Sequence, residues 1–312
     1  MNPAHDFKPT NILIIGDGRF GQYLAGQLER AGSDAVVVGP EHDPSVVNGY
    51  EMVVFCVPIR GFEATFNEHA PFFKSGAVVL DTCSVKAHPC RVMAEAAFTE
   101  DVTLVGCHPL FGPQSAPISC AGQRTVICPV RGDVSDVCSF WENLLGTIPI
   151  VRDAYEHDRQ MSTQLLNHFI GRSSQACGVR RVELSTKTHE LFMDIQDIVC
   201  GNSVELFEDM NRFNPCAREA RENFLRTAMA LNVRLTALEE ASSIREHDVV
   251  AVGEACESEG VRLLAGQQGT VVAVYGSGVA FAVEFINGGD SSVVTLTDAQ
   301  VRKVSSNGPS AT

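Results

Sequence analysis

The run "NILIIGDGRFGQYLAGQLERAG" at residues 11–32 constrains this chain more than any other stretch. Residues 11–15 are mostly apolar, as in a buried parallel strand, and residues 19–32 have the spacing of an amphipathic helix. Between them stand Gly16, Gly18 and Gly21. In a strand–turn–helix unit such glycines permit a tight turn, close approach of the backbone to a pyrophosphate, and close helix packing. The run predicts a dinucleotide site, the alternative being a glycine-rich turn without a ligand.

Further strands follow in "DAVVVGP", "EMVVFCVP", "GAVVLDTCS" and "TLVGCHP", and they alternate with helical segments. The alternation predicts an α/β fold with a Rossmann-type dinucleotide-binding domain over residues 1–152. Ligands of such sheets bind at the carboxyl ends of the strands. Three polar loops should meet there, in "CVPIRG" (56–61), "DTCSVK" (81–86) and "GCHPLFGP" (106–113). We expect them to bring Ser84, Lys86 and His108 to the nicotinamide.

The histidine of the third loop is enclosed by residues that stiffen the backbone. Proline fixes φ and glycine permits turns, so "HPLFGP" is a rigid loop that follows a strand. A hydride-transfer enzyme needs a base at a fixed distance from the carbon that loses hydride. His108 is therefore the predicted catalytic base.

The loop after the second strand bears on the choice between NAD and NADP. NAD sites usually place an acid at that strand end, and NADP sites place an arginine. Here Gly39 takes the usual acidic position, Glu41 and Asp43 follow, and no Arg or Lys lies between Arg30 and Arg60. Because acids repel a 2′-phosphate, NAD is favoured over NADP. The alternative is that Glu41 and Asp43 are solvated loop charges.

Composition excludes several classes of partner. The chain of 312 residues has a formal net charge of −14 and a pI of about 5.0, which disfavours nucleic acid and anionic membranes. No 18-residue apolar run and no signal-like N-terminus is visible. The 11 cysteines are irregularly spaced. This spacing is typical of reduced thiols in a cytoplasmic protein and does not match the ligand spacing of a metal site.

The chain resembles the prephenate/arogenate dehydrogenase family of tyrosine biosynthesis over residues 11 to about 235. The motifs "GDGRFG", "DTCSVK", "GCHPLFGPQSA" and "AYEHDRQMSTQLLNHFIGR" carry the resemblance, with Leu110 where the family has methionine. It implies NAD(P)-dependent oxidative decarboxylation of a cyclohexadiene with a 4-hydroxyl and a ring carboxylate. His108 would accept a hydrogen bond from that hydroxyl, and Ser84 would bind the hydroxyl and orient His108. The expected cofactor contacts are Gly16, Gly18, Arg19, Phe20, Gly21, Glu41, Val57, Pro58 and Ser84.

Residues 153–245 have helical periodicity and form the predicted all-helical second domain. "DAYE" at 153–156 resembles a capping box. One helix face would then carry His157, Met161, Gln164, His168 and Arg172. We interpret this stripe as the wall of a substrate pocket, the alternative being a subunit interface or a solvated face.

The resemblance adds three expectations about this domain. It places His168 in the substrate pocket and a cation for the substrate carboxylate at Lys187, with Arg172, Arg180 and Arg181 as alternatives. It implies a homodimer through the helical domain, whose long helix follows Pro215. The neutral Asn202 slightly favours prephenate over arogenate as the substrate, because some relatives that use arogenate carry an acid at this position.

Other functions stay open from the sequence. Arogenate, or 4-amino-4-deoxyprephenate, is the alternative substrate. The β-hydroxyacid dehydrogenases share a glycine loop followed by helices, but they need a lysine on the first long helix. A nucleotide-binding sensor is the non-enzyme alternative.

Residues 246–304 change to a period of two, with turn signals at "GSG" and "NGGD". They predict a small SH3-like β-barrel, similar to a family of uncharacterised domains, that stabilises the protein or packs its oligomer. Residues 305–312 are expected to be disordered.

Overall fold

The computed structural model describes residues 8–96, 101–242, 244–276 and 278–304. The chain forms two compact units, residues 1–222 and 223–312. The predicted disordered tail, 305–312, lies outside the described residues. The predicted domain limits at 152/153 and 245/246 stay predictions.

A mostly parallel sheet forms the centre of the first unit. Its strands are β1 (Ile12–Ile15), β2 (Ala35–Val38), β3 (Met52–Phe55), β4 (Val78–Asp81), β5 (Thr103–Pro109), β6 (Arg124–Arg131) and β7 (Ile148–Val151). Their order in the sheet is β2-β1-β3-β4-β5-β6-β7, and only the β5–β6 pair is antiparallel. The chain leaves β1 for β2 and returns to β3 on the other side of β1, so a crevice opens between the loops after β1 and β3.

Helices cover both faces of this sheet. They are α1 (Arg19–Arg30), α2 (Ile59–His69), α3 (Ala87–Glu95) and α4 (Ser135–Ser139), which continues as a π-helical turn to Leu144. All residues of β1, β3 and β4 are buried, because both faces of these strands are covered. Two apolar clusters form the core, one on each face.

The helical part that follows comprises α5 (Ala154–Ala176), α6 (Lys187–Cys200), α7 (Val204–Phe213) and α8 (Ala217–Ser242). Asp153 accepts the backbone N–H groups of Tyr155 and Glu156, which confirms the predicted start of α5. Thr186 and Ser203 cap α6 and α7 in the same way. In the described residues no helix is long and apolar enough to cross a membrane.

The second unit contains the C-terminal strands and a core of its own. The strands are β8 (Val249–Val252), β9 (Cys256–Ser258), β10 (Val261–Leu263), β11 (Gln268–Tyr275), β12 (Ala280–Asn287), β13 (Asp290–Thr297) and β14 (Val301–Lys303). An antiparallel sheet has the order β13-β12-β11-β8-β14, and β9 and β10 pair separately. The predicted period of two is confirmed, and closure into an SH3-like barrel stays a prediction.

Candidate active site

A cavity of about 600 Å³ lies within the first unit, at the carboxyl ends of the central strands. Its walls come from the start of α1, from the loops after β3, β4 and β5, and from α5, α6 and α7. The predicted meeting of the three polar loops is confirmed, since residues of each line this cavity.

The glycine loop has the form that a dinucleotide requires. Gly16 has φ +116°, and a Cβ there would overlap the carbonyl of Cys56 after β3. A Cβ on Gly21 would overlap the carbonyl of Gly16, so α1 packs closely behind the loop. Gly18 faces open space and precedes α1, whose first N–H groups have no side-chain cap. These donors and the helix dipole suit a pyrophosphate.

Several predicted cofactor contacts share the cavity, namely Arg19, Phe20, Val57, Pro58 and Ser84. Glu41 lies elsewhere, exposed in the loop after β2. Asp43 accepts the N–H of Ser45 and so begins a short 3₁₀ helix. This bond lowers the pKa of the Asp43 carboxyl, which acts as a structural cap rather than as a group for the ribose.

His108 stands near the end of β5, faces the cavity, and is 8% exposed. Its Nδ1 lies 2.8 Å from Nε2 of His157, and Nδ1 of His157 lies 2.8 Å from Oδ1 of Asp158. Asp158 is fully buried. Three side chains therefore form a buried row that ends at the cavity, which we call the relay (Asp158, His157, His108).

The hydrogen bonds of the relay determine its tautomers. A carboxylate only accepts, so Nδ1 of His157 donates to Asp158 and its Nε2 is left as an acceptor. Nδ1 of His108 therefore donates to His157, which leaves its own Nε2 free of a proton. Burial, and then the nearby His157 and Lys86, hold the pKa of His108 well below its ordinary value. His108 is thus a neutral base at neutral pH.

The backbone at the start of α3 fixes Asp158 in place. The N–H groups of Lys86 and Ala87 donate to its two carboxylate oxygens at 2.7 and 2.9 Å. The side chain of Asn214 also donates to its carbonyl. The sequence prediction missed Asp158, and its position directly after His157 in "YEHDRQ" was the available signal.

Three expectations about this region need correction. His157 does not line the pocket, because it lies behind His108 and orients it. That orienting bond was expected from Ser84, which in the described structure forms no hydrogen bond with His108. Lys86 does not face the nicotinamide position, because its fully buried ammonium donates to Asp81 and to the carbonyl of Cys107.

The middle of the α5 stripe does line the cavity, through Met161, Gln164 and His168. Nδ1 of His168 is buried and has no hydrogen-bond partner in the described structure. Burial and then Arg172 lower the pKa of His168, so the ring is neutral. A buried polar atom without a partner is uncommon, and the residue that carries it lines the cavity. The sequence prediction missed the amides that share this wall, which are Gln114, Asn167 and Asn214.

The predicted cations do not reach the cavity. Arg172 donates to the carbonyls of Asn202 and Ser203, so it holds the chain between the end of α6 and the start of α7 and does not line the cavity. Lys187 begins α6, its side chain is 77% exposed, and it pairs with Glu190.

The alternative cations do not line the cavity either. Arg181 pairs at the surface with Asp194 and Asp197, and Arg180 is also exposed. Among the described residues that line the cavity, Arg19 is the only Lys or Arg.

Two family models match separate parts of the chain. The model of the prephenate dehydrogenase nucleotide-binding domain matches residues 25–148. A model of a domain of unknown function, DUF4926, matches residues 246–303.

Curated relatives resemble most of the chain. The probable arogenate/prephenate dehydrogenase of Methanocaldococcus jannaschii is 26% identical over 70% of the chain. Arogenate dehydrogenase 2, chloroplastic, of Arabidopsis thaliana is 25% identical over 68%. The match spans 55% of the archaeal relative's own length and 66% of the plant relative's.

Solved structures share the fold. Prephenate dehydrogenase from A. aeolicus, in complex with hydroxyphenyl propionate and NAD⁺, has a TM-score of 0.58 and 18% identity. That match covers 74% of this chain and 92% of the other. Synechocystis arogenate dehydrogenase has a TM-score of 0.53 and 19% identity, with coverage of 73% and 93%.

Proposed function

The nucleotide-binding domain of this chain belongs to the prephenate dehydrogenase family, and on that premise we propose that the chain converts prephenate to 4-hydroxyphenylpyruvate by NAD-dependent oxidative decarboxylation. The relay carries this proposal. It presents an unprotonated Nε2 of His108 to a cavity that is also lined by Arg19 and Phe20, the first residues of α1, between Gly18 and Gly21. A base beside a dinucleotide site is what removal of hydride from an alcohol carbon requires.

In the mechanism, Nε2 of His108 accepts the proton of the substrate 4-hydroxyl as hydride leaves C4. When bound, NAD supplies the acceptor for that hydride. The proton leaves His108 positively charged, and the buried carboxylate of Asp158 stabilises the charge through His157. Loss of carbon dioxide then makes the ring aromatic, so the chain's main task is to align the groups and handle the charge.

The residues present fit NAD. The N–H groups at the start of α1, beside Gly18, would hold the pyrophosphate. Arg19 adds a cation at the cavity, and Val57 and Pro58 line the side next to β3. NAD⁺ in the structure from A. aeolicus, which shares this fold, supports the same cofactor here.

Arogenate is the second candidate substrate, and the lining of the cavity supports it. The residues of α5, α6 and α7 that line the cavity in the described structure include Asn and Gln side chains and no Lys or Arg. Carboxamides accept from an ammonium and donate to a carboxylate, so they suit an aminated side chain. Prephenate stays first because Asn202, in the cavity wall, is neutral where an acid would form an ion pair with the ammonium of an aminated substrate. The same argument keeps 4-amino-4-deoxyprephenate as an alternative.

The test is to incubate the purified chain with NAD and each cyclohexadiene while NADH absorbance and carbon dioxide release are measured. Prephenate should give both products, and a higher kcat/KM for arogenate would reverse the order of the candidates. If neither yields NADH although NAD binds, the chain is a nucleotide-binding sensor and the proposed activity is overturned.

We also propose that the chain is a homodimer through α8. Exposed apolar side chains on this helix support an interface, among them Leu225, Met229 (70% exposed) and Val233. Light scattering should give a mass twice that of the chain. The double variant Met229→Glu, Val233→Glu should have the mass of a single chain. A monomeric wild type contradicts the proposal.

A cytoplasmic location is the last part of the proposal. All 11 cysteines are free thiols, which a reducing compartment maintains. The C-terminal sheet would then be a stabilising or oligomer-packing addition to the enzyme.

A further inference from the structure

The end of β2 lacks the acid that dinucleotide folds use for the adenosine ribose. Gly39 directly follows this strand and has no side chain. A Cβ built on Gly39 would lie 2.8 Å from Oδ2 of Asp17. The Asp17 carboxylate therefore occupies the space from which an acid at position 39 would begin.

The position of Asp17 is fixed by the backbone beside it. The N–H of Gly16 donates to the carbonyl of Val38 at 2.9 Å, which ties the glycine loop to the end of β2. The Asp17 side chain is exposed and forms no hydrogen bond or ion pair with another described residue. Its oxygens are thus free to accept from a ligand.

The other acids of this loop are poorer candidates. Asp43 is engaged with the N–H of Ser45. Glu41 lies three residues beyond the strand end, in a turn where the carbonyl of Gly39 accepts a hydrogen bond from Nδ1 of His42. Neither acid is shown in contact with the glycine loop, whereas Asp17 belongs to it.

We propose that Asp17 accepts hydrogen bonds from the hydroxyls of the adenosine ribose. Asp17, rather than Glu41, then makes the chain prefer NAD to NADP. A carboxylate accepts hydrogen bonds from the 2′- and 3′-hydroxyls. It repels a 2′-phosphate, which offers only negative charge and acceptor oxygens. This inference rests on the proposed NAD site and is independent of the substrate.

The test measures binding of NAD and of NADP to the full chain by calorimetry, without a cyclohexadiene. Asp17→Ala should lower the affinity for NAD by about tenfold or more, the usual effect of losing a charge-assisted hydrogen bond. NADP should bind as before or more tightly, because repulsion is removed. Glu41→Ala is the matched control, and it should leave the ratio of the two affinities unchanged.

Moving the acid gives a second measurement. Gly39 is not among the glycines with positive φ, so its backbone accepts an aspartate. Gly39→Asp alone would place the new carboxylate in contact with that of Asp17 and should lower the affinity for NAD. Asp17→Ala combined with Gly39→Asp should recover most of the lost affinity. Circular dichroism checks that each variant is folded.

Three results would overturn the inference. In the first, Asp17→Ala changes the affinities for NAD and NADP equally. In the second, Glu41→Ala changes the preference for NAD over NADP. In the third, the double variant binds NAD no better than Asp17→Ala does. A wild type that binds no NAD overturns both this inference and the proposed function. An Asp17-dependent preference in a chain that oxidises neither cyclohexadiene overturns only the proposed activity.

Discussion

At the scale of single residues, His108 depends on the two side chains behind it. The bond from Nδ1 of His108 to His157 leaves Nε2 as the free acceptor, and Asp158 fixes the tautomer of His157. A similar histidine without such partners could present either nitrogen to the cavity. Chemistry at His108 is therefore a property of the relay rather than of one residue.

Replacing His108 tests the base directly. His108→Asn should lower kcat by roughly 10²–10⁴-fold, the usual worth of a positioned acid–base group. NAD affinity, measured by calorimetry, should stay near that of the wild type, because the glycine loop is unchanged. An unaltered kcat would remove His108 from the mechanism.

The pH profile tests the relay. His108 acts only when neutral, and its lowered pKa means that activity is lost only well below pH 6.5. His157→Phe removes the acceptor that orients His108 and links it to Asp158. In this variant kcat should fall at least about tenfold. The acid limb should stay well below pH 6.5, because burial, the largest cause of the lowered pKa of His108, remains.

His157→Gln is the matched control for this variant. Its carbonyl can still accept from His108, so part of the rate should return. A kcat near that of the wild type in His157→Phe would contradict the proposed coupling.

At the scale of elements, the end of α6 depends on one arginine. Arg172 donates to the carbonyls of Asn202 and Ser203, just beyond the last residue of α6, and lies over the ring of Phe207, 5.0 Å from its centroid. Arg172→Ala leaves these carbonyls without a partner, so it should lower stability by about 1–3 kcal/mol. The measurement is the urea midpoint at an unchanged m-value.

Lys187→Ala, at the start of α6, is the control, because the ion pair of Lys187 with Glu190 is exposed. It should change stability by less than about 0.5 kcal/mol and leave the KM for the substrate unchanged. A large rise in KM for Lys187→Ala would restore the original assignment of Lys187 as the substrate cation.

At the scale of the whole molecule, each core is built from residues of its own part of the chain. The buried cluster of the C-terminal sheet draws on residues 244–301, and the clusters around the large sheet draw on residues 12–217. A chain that ends at Glu246 should therefore remain folded and keep its NAD affinity and activity. Thermal unfolding tests whether the truncated chain is folded, calorimetry measures its NAD affinity, and the NADH assay measures its activity. An insoluble or inactive truncated chain would show that the C-terminal sheet is integral to the enzyme.

The sequence by itself determined the features that depend on local order. The glycine loop, the strand series, the start of α5 and the presence of His108 and His168 at the cavity follow from periodicity and turn chemistry within short segments. Only the tertiary structure decided what each polar side chain contacts. His108 meets His157 across 49 positions, and Asp158 meets the backbone of Lys86 across 72. Packing of α5 against the sheet makes these contacts, and no local pattern encodes them. The same packing buried Lys86 and turned Arg172 to a helix end, because a side chain binds whichever partner the fold places within reach.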